Sequence, residues 1–336
     1  MTESVGKWKI VMNNRFPLKR HMESVWQFWE RINTTGLCLA PMVEVNDLAF
    51  RLQTRRHGIG ICWTGMINNY QWNTSKTYRE RNIQHCPEDH PLVGQLSGGI
   101  DGDYIEAART LEDFVEAIEI NLGCCQKVAK RGGFGYFMVD TESKRCDVLE
   151  LIRKIVREIK KPLFVKIRLI NGDNGEPDQE KTVEFARSLA TAGASLITIH
   201  ARSMFQDKKG DPSTEVIKAI VQAVNVPVVA NGGIDTPLIV EHVKKETGAA
   251  GVMIGQALLR NPSAFSDSPL NQFDIAREYL EIYQQVGGTI DVARRHLFYF
   301  LDEALGTDSA KRAQLGQCHS IEELLLFIQQ IETPSS

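Results

Sequence analysis

Residues 147–168 read DVLELIRKIVREIKKPLFVKIR, and the two halves of this stretch have different periods. From Asp147 to Lys160 apolar residues recur at intervals of three and four, the spacing of one helix face. LFVKIR (163–168) is instead a short, nearly continuous apolar run, which suits a strand covered on both sides. The same alternation continues outward. LCLAPM (37–42), GIGICW (58–63), PLVGQL (91–96) and AIEIN (117–121) precede it, and LITIH (196–200), VPVVAN (226–231) and GVMIG (251–255) follow, with a second amphipathic stretch from Asp178 to Ala192. Strands alternating with helices indicate parallel βαβ units, and eight of them predict an α/β fold, a (β/α)8 TIM barrel over residues 37–265. A doubly wound open sheet is the competing architecture. Polar residues close nearly every run at its carboxyl end, where such barrels build their sites, which favours the barrel.

After Pro262 the alternation stops. DIAREYLEIYQQV, VARRHLFYFLDEAL and SIEELLLFIQQI predict a small helical carboxyl-terminal domain over residues 266–336. Residues 1–36 hold one aromatic-rich helical stretch, ESVWQFWERI, and predict an arm packed on the barrel, with Trp26, Phe28 and Trp29 read as core.

The length of 336 residues suits one barrel-sized core with an appendage, and a formal charge of −3 neither announces nor excludes a nucleic-acid partner. Seven cysteines without regular spacing, and no apolar signal segment near the amino terminus, point to a reducing, cytoplasmic setting. No run approaches the roughly twenty apolar residues that a membrane span needs. Cys38 and Cys62, inside apolar runs, read as buried small hydrophobes. His85, Cys86 and His90 share a loop without a partner cluster, so no metal is expected. A monomer is expected.

The strand ends present Pro41, Met42, Gln95, Asn121 with Cys124, Lys166, Arg168, His200, Arg202, Asn231-Gly232-Gly233 and Gly255-Gln256, which a barrel would gather at one mouth. The loops after the last two strands, ANGGID and IGQALLRNP, have the glycines and the position of a phosphate site. A lysine ending the fifth strand and an amide in the third suit the polar edge of a flavin. No GxGxxG or GxxxxGK[ST] pattern occurs, so a Rossmann site and a P-loop are unsupported. EINLGCCQKVAKRGGFG (119–135) sets two adjacent thiols ahead of a basic, glycine-rich loop.

Taken in order, LAPMVEVNDLAFR, CPEDHPLVGQL, INLGCCQKVAKRGGFGYFM, VKIR, TIHARS, VVANGGI, GVMIGQALLRNP and VARRHLF resemble the tRNA-dihydrouridine synthases, most closely the eukaryotic dihydrouridine synthase 1 branch. The resemblance implies an FMN-binding barrel with a helical tRNA-binding domain. It also implies reduction of the C5–C6 bond of D-loop uridines in tRNA, with NADPH delivering electrons to FMN. Carried residue by residue, it implies FMN contacts from Pro41, Met42, Val43, Gln95, Lys166, His200, Asn231, Gly232, Gly233, Gly255 and Gln256. Asn121 would hold the uracil edge, and Cys124 would be the proton donor. Lys127, Lys130, Arg131, Arg168, Arg202, Arg294 and Arg295 would face the tRNA, helped by the basic arm before Leu37 and by Lys311 and Arg312. The sequence departs from the family pattern at Cys125, where proline is usual, and at Gly65, Ala201 and Gln256. Two alternatives therefore stand beside this reading: a catalytically impaired RNA-binding relative, and another FMN barrel oxidoreductase of the dihydroorotate dehydrogenase type.

Overall fold

The computed structural model describes residues 18–100, 102–206 and 210–332. All eight runs form strands: β1 (Leu37–Leu39), β2 (Ile61–Asn68), β3 (Leu92–Ser97), β4 (Ala117–Leu122), β5 (Leu163–Arg168), β6 (Leu196–His200), β7 (Val228–Asn231) and β8 (Gly251–Ile254). Each pairs in parallel with the next and β8 closes on β1, giving a barrel without a free edge. Helix α1 (Leu18–Ile32) precedes the barrel. The outer ring consists of α2 (Leu48–Arg56), α3 (Asn69–Thr74), α4 (Lys76–Asn82), α5 (Tyr104–Leu111) and α6 (Lys127–Gly132), then α7 (Glu142–Glu158), α8 (Gln179–Ala192), α9 (Thr214–Ala223), α10 (Pro237–Thr247) and α11 (Gln256–Arg260).

The strand limits that differ most from the sequence reading are those of β1 and β2. β1 ends at Leu39, two residues before Pro41, which has no N–H to give the ladder. β2 runs on to Asn68 through a register shift between Trp63 and Met66. The shift holds Gly65, where a Cβ would come 3.2 Å from the Met42 carbonyl, so the β1 loop passes too close for a regular strand residue.

Alternate residues of each strand face the barrel axis. Val93, Ala117, Phe164, Leu196 and Val229 form one inward apolar layer, in a single buried cluster with Ile61, Trp63, Met253 and, from α1, Trp29 and Ile32. Helix α1 thus closes the amino-terminal end of the barrel, with Asn33 Nδ2 donating to the Ala250 carbonyl at 3.3 Å. Trp29 is core as expected, whereas Trp26 is 40% exposed and donates its indole N–H to the Asn225 carbonyl. Two residues further along the same inward faces, the apolar layer gives way to Gln95, Glu119, Lys166, Thr198 and Asn231. The period of two carries each strand from packing to chemistry in one step.

After α11 the chain is helical: α12 (Gln272–Val286), α13 (Ile290–Phe300), α14 (Asp302–Leu305), α15 (Ser309–Gly316) and α16 (Ile321–Glu332). Sequence periodicity misses α15, because Leu315 is its single buried residue and no apolar face shows. Helix α12 lies along α2, where Gln53 Nε2 donates to the Ile275 carbonyl (2.9 Å) and to Glu278 (3.0 Å), and His57 Nε2 meets Glu278 at 2.7 Å. Asp47, just before α2, receives Tyr279 Oη (3.1 Å) and meets His296 Nε2 at 2.6 Å. The His296 ring stacks on Phe50 with centroids 4.7 Å apart. No described helix is long and apolar enough to cross a membrane.

Candidate active site

The end of β4 turns sharply after Leu122, and a single side chain shapes the turn. Asn121 Oδ1 accepts the N–H groups of both Gly123 and Cys124, each at 3.0 Å. Its Nδ2 donates to Gln95 Oε1 at 2.9 Å and lies 3.3 Å from Met66 Sδ. Gln95 Nε2 in turn donates to Glu119 Oε2 at 2.6 Å, and Thr198 Oγ1 donates to Glu119 Oε1 at 3.3 Å. A chain of hydrogen bonds therefore runs from a carboxylate inside the barrel to the backbone of Cys124. With both ends of its amide engaged, Asn121 would have to exchange one of these bonds to hold a uracil edge.

The basic loop that follows comes back to the same cysteine. Helix α6 ends at Gly133 in the left-handed region (φ 62°), and Gly135 is left-handed as well (φ 62°). A Cβ on Gly135 would lie 2.6 Å from the Cys124 carbonyl oxygen and 2.9 Å from the Cys124 Cβ, so no other residue fits there. The Tyr136 N–H then bonds the Cys124 carbonyl at 2.9 Å. The RGGFGY segment is thus the outer wall of the cysteine turn. Cys124 is half-buried, and burial pushes its thiol above the ordinary thiol range; the Gln126 N–H and, more weakly, Arg168 and Lys166 pull the other way. Cys125 is half-buried beside it, and none of the described cysteines is in a disulfide.

On the other side of the mouth, Lys166 Nζ donates to Asn231 Oδ1 at 2.7 Å, and Asn231 Nδ2 donates to the Met253 carbonyl at 2.8 Å. Burial pushes the Lys166 ammonium below its ordinary range and the Glu119 carboxyl above its own; each opposes the shift of the other. Arg168 is buried, with Nη1 donating to the Ser203 carbonyl at 2.8 Å and Nε to the Gly123 carbonyl at 3.3 Å, so it braces two mouth loops. Arg202 Nη1 lies 3.4 Å from His200 Nε2, and its Nε donates to the Gly210 carbonyl. Gly232 and Gly233 both have left-handed backbone (φ 110° and 67°). A Cβ on Gly232 would meet His200 Cδ2 at 2.8 Å, and one on Gly233 would meet Pro212 at 3.1 Å.

Pro41 and Met42 are half-buried and Val43 is 52% exposed on the β1 loop. Gly255 caps the short α11, and Gln256 is exposed beside a cavity of about 400 Å³ shared with Arg260, Arg295, Tyr299 and Arg312. Lys127, Lys130 and Arg131 stand exposed on α6, on the solvent side of the Cys124 loop. The other two arginines sit elsewhere. Arg294 donates to the Cys318 carbonyl (2.9 Å) and pairs with Asp291 within the tail. Arg295 holds both the backbone oxygen (3.0 Å) and the carboxylate (2.9 Å) of Glu44, which has a left-handed φ of 63° on the β1 loop. The basic residues of the arm before Leu18 lie outside the described residues. Among the described residues, no group of three His, Cys, Asp or Glu side chains is arranged to hold a metal.

Sequence reading alone missed Glu119 and Gly135. The signal for the first was an acid inside an apolar strand two residues before Asn121, hence on the same face. For the second there was only a glycine in a glycine-rich loop.

The family model described as Dihydrouridine synthase matches residues 38–324, the barrel and nearly all of the tail. The chain belongs to the dihydrouridine synthase family. A mouse relative named tRNA-dihydrouridine(16/17) synthase [NAD(P)(+)]-like is 34% identical over 303 residues, covering 88% of this chain and 62% of that protein. The chain thus spans under two thirds of that relative's length. The tRNA-dihydrouridine synthase B of Pseudomonas aeruginosa is 34% identical over 234 residues, covering 69% of this chain and 68% of its own. A solved structure of a variant of NCR from Zymomonas mobilis shares the fold at a TM-score of 0.50 and 13% identity, covering 78% of this chain and 93% of that one.

Proposed function

We propose that this chain is an FMN-dependent tRNA-dihydrouridine synthase, which reduces the C5–C6 bond of D-loop uridines with NADPH as electron source and Cys124 as proton donor. The observation that carries the reading is the half-buried Cys124 thiol, seated by Asn121 on one side and Gly135 on the other, at the mouth of a barrel whose inner face holds a lysine.

The residues present fit FMN. Gly232 and Gly233 run against His200 and Pro212 too closely for a side chain, in left-handed turns whose backbone N–H groups would cradle a phosphate. Gly255 and Gln256 would complete it from β8, and Pro41, Met42 and Val43 would cover the ring from β1. Lys166 and Gln95 would meet the polar edge of the ring, Lys166 with a positive charge that favours an electron-rich flavin. When bound, FMN supplies the hydride for C6 of the uracil.

Negative charge then develops toward C5, and Cys124 quenches it by giving up its Sγ proton from the opposite face. A thiol that burial holds above the ordinary thiol range is protonated at neutral pH, as an acid must be, and general-acid donation is worth about 10²–10⁴-fold. Lys127, Lys130 and Arg131 would draw in the phosphates beside the target, which must leave its stack to enter the mouth. The helices after α11 form the proposed tRNA-binding domain, with Arg312 and Arg260 facing the same cavity as Gln256.

Purified protein is expected to be yellow and to form dihydrouridine in tRNA incubated with FMN and NADPH, read by nucleoside mass spectrometry. A colourless protein that takes up no FMN sinks the proposal, and a yellow one that forms no dihydrouridine reduces it to an RNA-binding relative.

A further inference from the structure

Glu119 lies fully buried on the inward face of β4, in the layer where the barrel turns from apolar to polar. Its surroundings are Gln95 from β3, Thr198 from β6, Lys166 from β5, and Trp63 and the Cys38 thiol from β2 and β1. No substrate has to reach it, and nothing in the proton-donor chemistry uses it. Its hydrogen bonds nonetheless have a direction. An ionised carboxylate can only accept, so Gln95 must turn its Nε2 toward Glu119 and leave Oε1 for Asn121. Asn121 must then present Nδ2 to Gln95, which leaves Oδ1 for the N–H groups of Gly123 and Cys124. Were the first amide reversed, the second would have to reverse too, and its NH2 group would face two N–H donors.

We propose that Glu119 is a positioning residue for Cys124: its carboxylate fixes the sense of the Gln95–Asn121 amide chain and through it the backbone turn that presents the thiol. This rests on the reading of Cys124 as proton donor. The chain is also sensitive to protonation of Glu119, since a protonated carboxyl can donate to Gln95 and permits the reversed sense. Burial lifts this carboxyl above the ordinary range, to about 7, so the loss falls at the acidic side of neutrality and the ordered turn belongs to the alkaline side.

The test is Glu119→Gln in the FMN-loaded full chain, with Glu119→Asp as the conservative partner. Hydrogen exchange of the peptide covering Gly123 and Cys124 is expected to speed up about tenfold or more in Glu119→Gln, while peptides of the outer helices keep wild-type rates. The turnover number for dihydrouridine formation is expected to fall by at least about tenfold, with the tRNA KM within about twofold of wild type. Glu119→Asp is expected to keep the pH dependence of exchange that Glu119→Gln loses. A folded, yellow Glu119→Gln protein with wild-type exchange at this turn and wild-type turnover number overturns the proposal. Should that variant not fold, the wild type suffices: protection of these two amides, corrected for intrinsic exchange, must weaken on acidification through neutrality, and a flat profile overturns the proposal equally. If the wild type forms no dihydrouridine, the enzymatic reading fails by itself, and the exchange measurement still decides whether Glu119 sets the turn.

Discussion

Two polar networks among the described residues use similar side chains to opposite ends. At the barrel mouth, Glu119, Gln95 and Asn121 join neighbouring strands and end on the backbone of a half-buried thiol. At the junction of barrel and tail, Asp47, His296, Tyr279, Gln53 and Glu278 join α2 and its preceding loop to α12 and α13, beneath the stacked rings of Phe50 and Phe300. The first network leads outward to a group that can react. The second is closed: its carboxylates meet groups contributed by another part of the chain, and His296 is fully buried. Burial alone therefore does not mark a functional site. What distinguishes the mouth is that its network terminates at a partly accessible, titratable atom, whereas the junction network terminates in packing.

Substitutions should separate the two. The largest effect belongs to Cys124→Ala, which is expected to lower dihydrouridine formation by about 10²–10⁴-fold while leaving the flavin spectrum and tRNA binding intact. A Cys124→Ala enzyme with wild-type turnover would place the proton donor elsewhere. At the junction, Asp47→Ala strands His296 in an apolar pocket and is expected to cost about 3–5 kcal/mol in denaturant unfolding. Less than about 1 kcal/mol would mean that the tail docks by apolar packing alone.

Between these extremes falls Gly135→Ala, which attacks the mouth from outside. The added methyl meets the Cys124 backbone in a left-handed conformation, so turnover should drop by about 10–100-fold, with stability lowered by the clash on top of the about 1–2 kcal/mol that a left-handed residue costs. A stability loss without a loss of turnover would detach the basic loop from the chemistry. The mildest test is pH. With its thiol raised by burial, Cys124 stays protonated above neutrality, so on the alkaline side of the Glu119 titration the single-turnover rate should hold within about twofold and decline only where the raised thiol ionises. A decline already below neutrality, in a mutant lacking Glu119, would exclude that carboxylate as its cause and reopen the assignment.

Much of this was legible before any coordinates. Eight strand-like runs identified eight strands, and the polar residues closing them lie at one mouth, because the period of two forces every second residue inward. The limits of β1 and β2 were not legible, since the bulge at Gly65 answers to the β1 loop passing over it rather than to local propensity. Arg294 and Arg295 illustrate another limit. As sequence they are two cations free for an RNA backbone; in the fold one closes onto Cys318 and Asp291 and the other onto Glu44. Charge can be counted along a chain, but its partners are a property of packing.

Local rules were enough to determine the alternation, the barrel, and the thiol turn behind NLG, because hydrophobic period and turn chemistry act over a few residues. Only the tertiary structure decided which polar groups meet: Gln95 with Glu119 and Asn121 across strands 24 and 26 residues apart, Gly135 against Cys124, and Asp47 against His296 across 249 residues. Hydrogen bonds are read over about 3 Å of space, and closing the barrel is what brings distant positions within that reach.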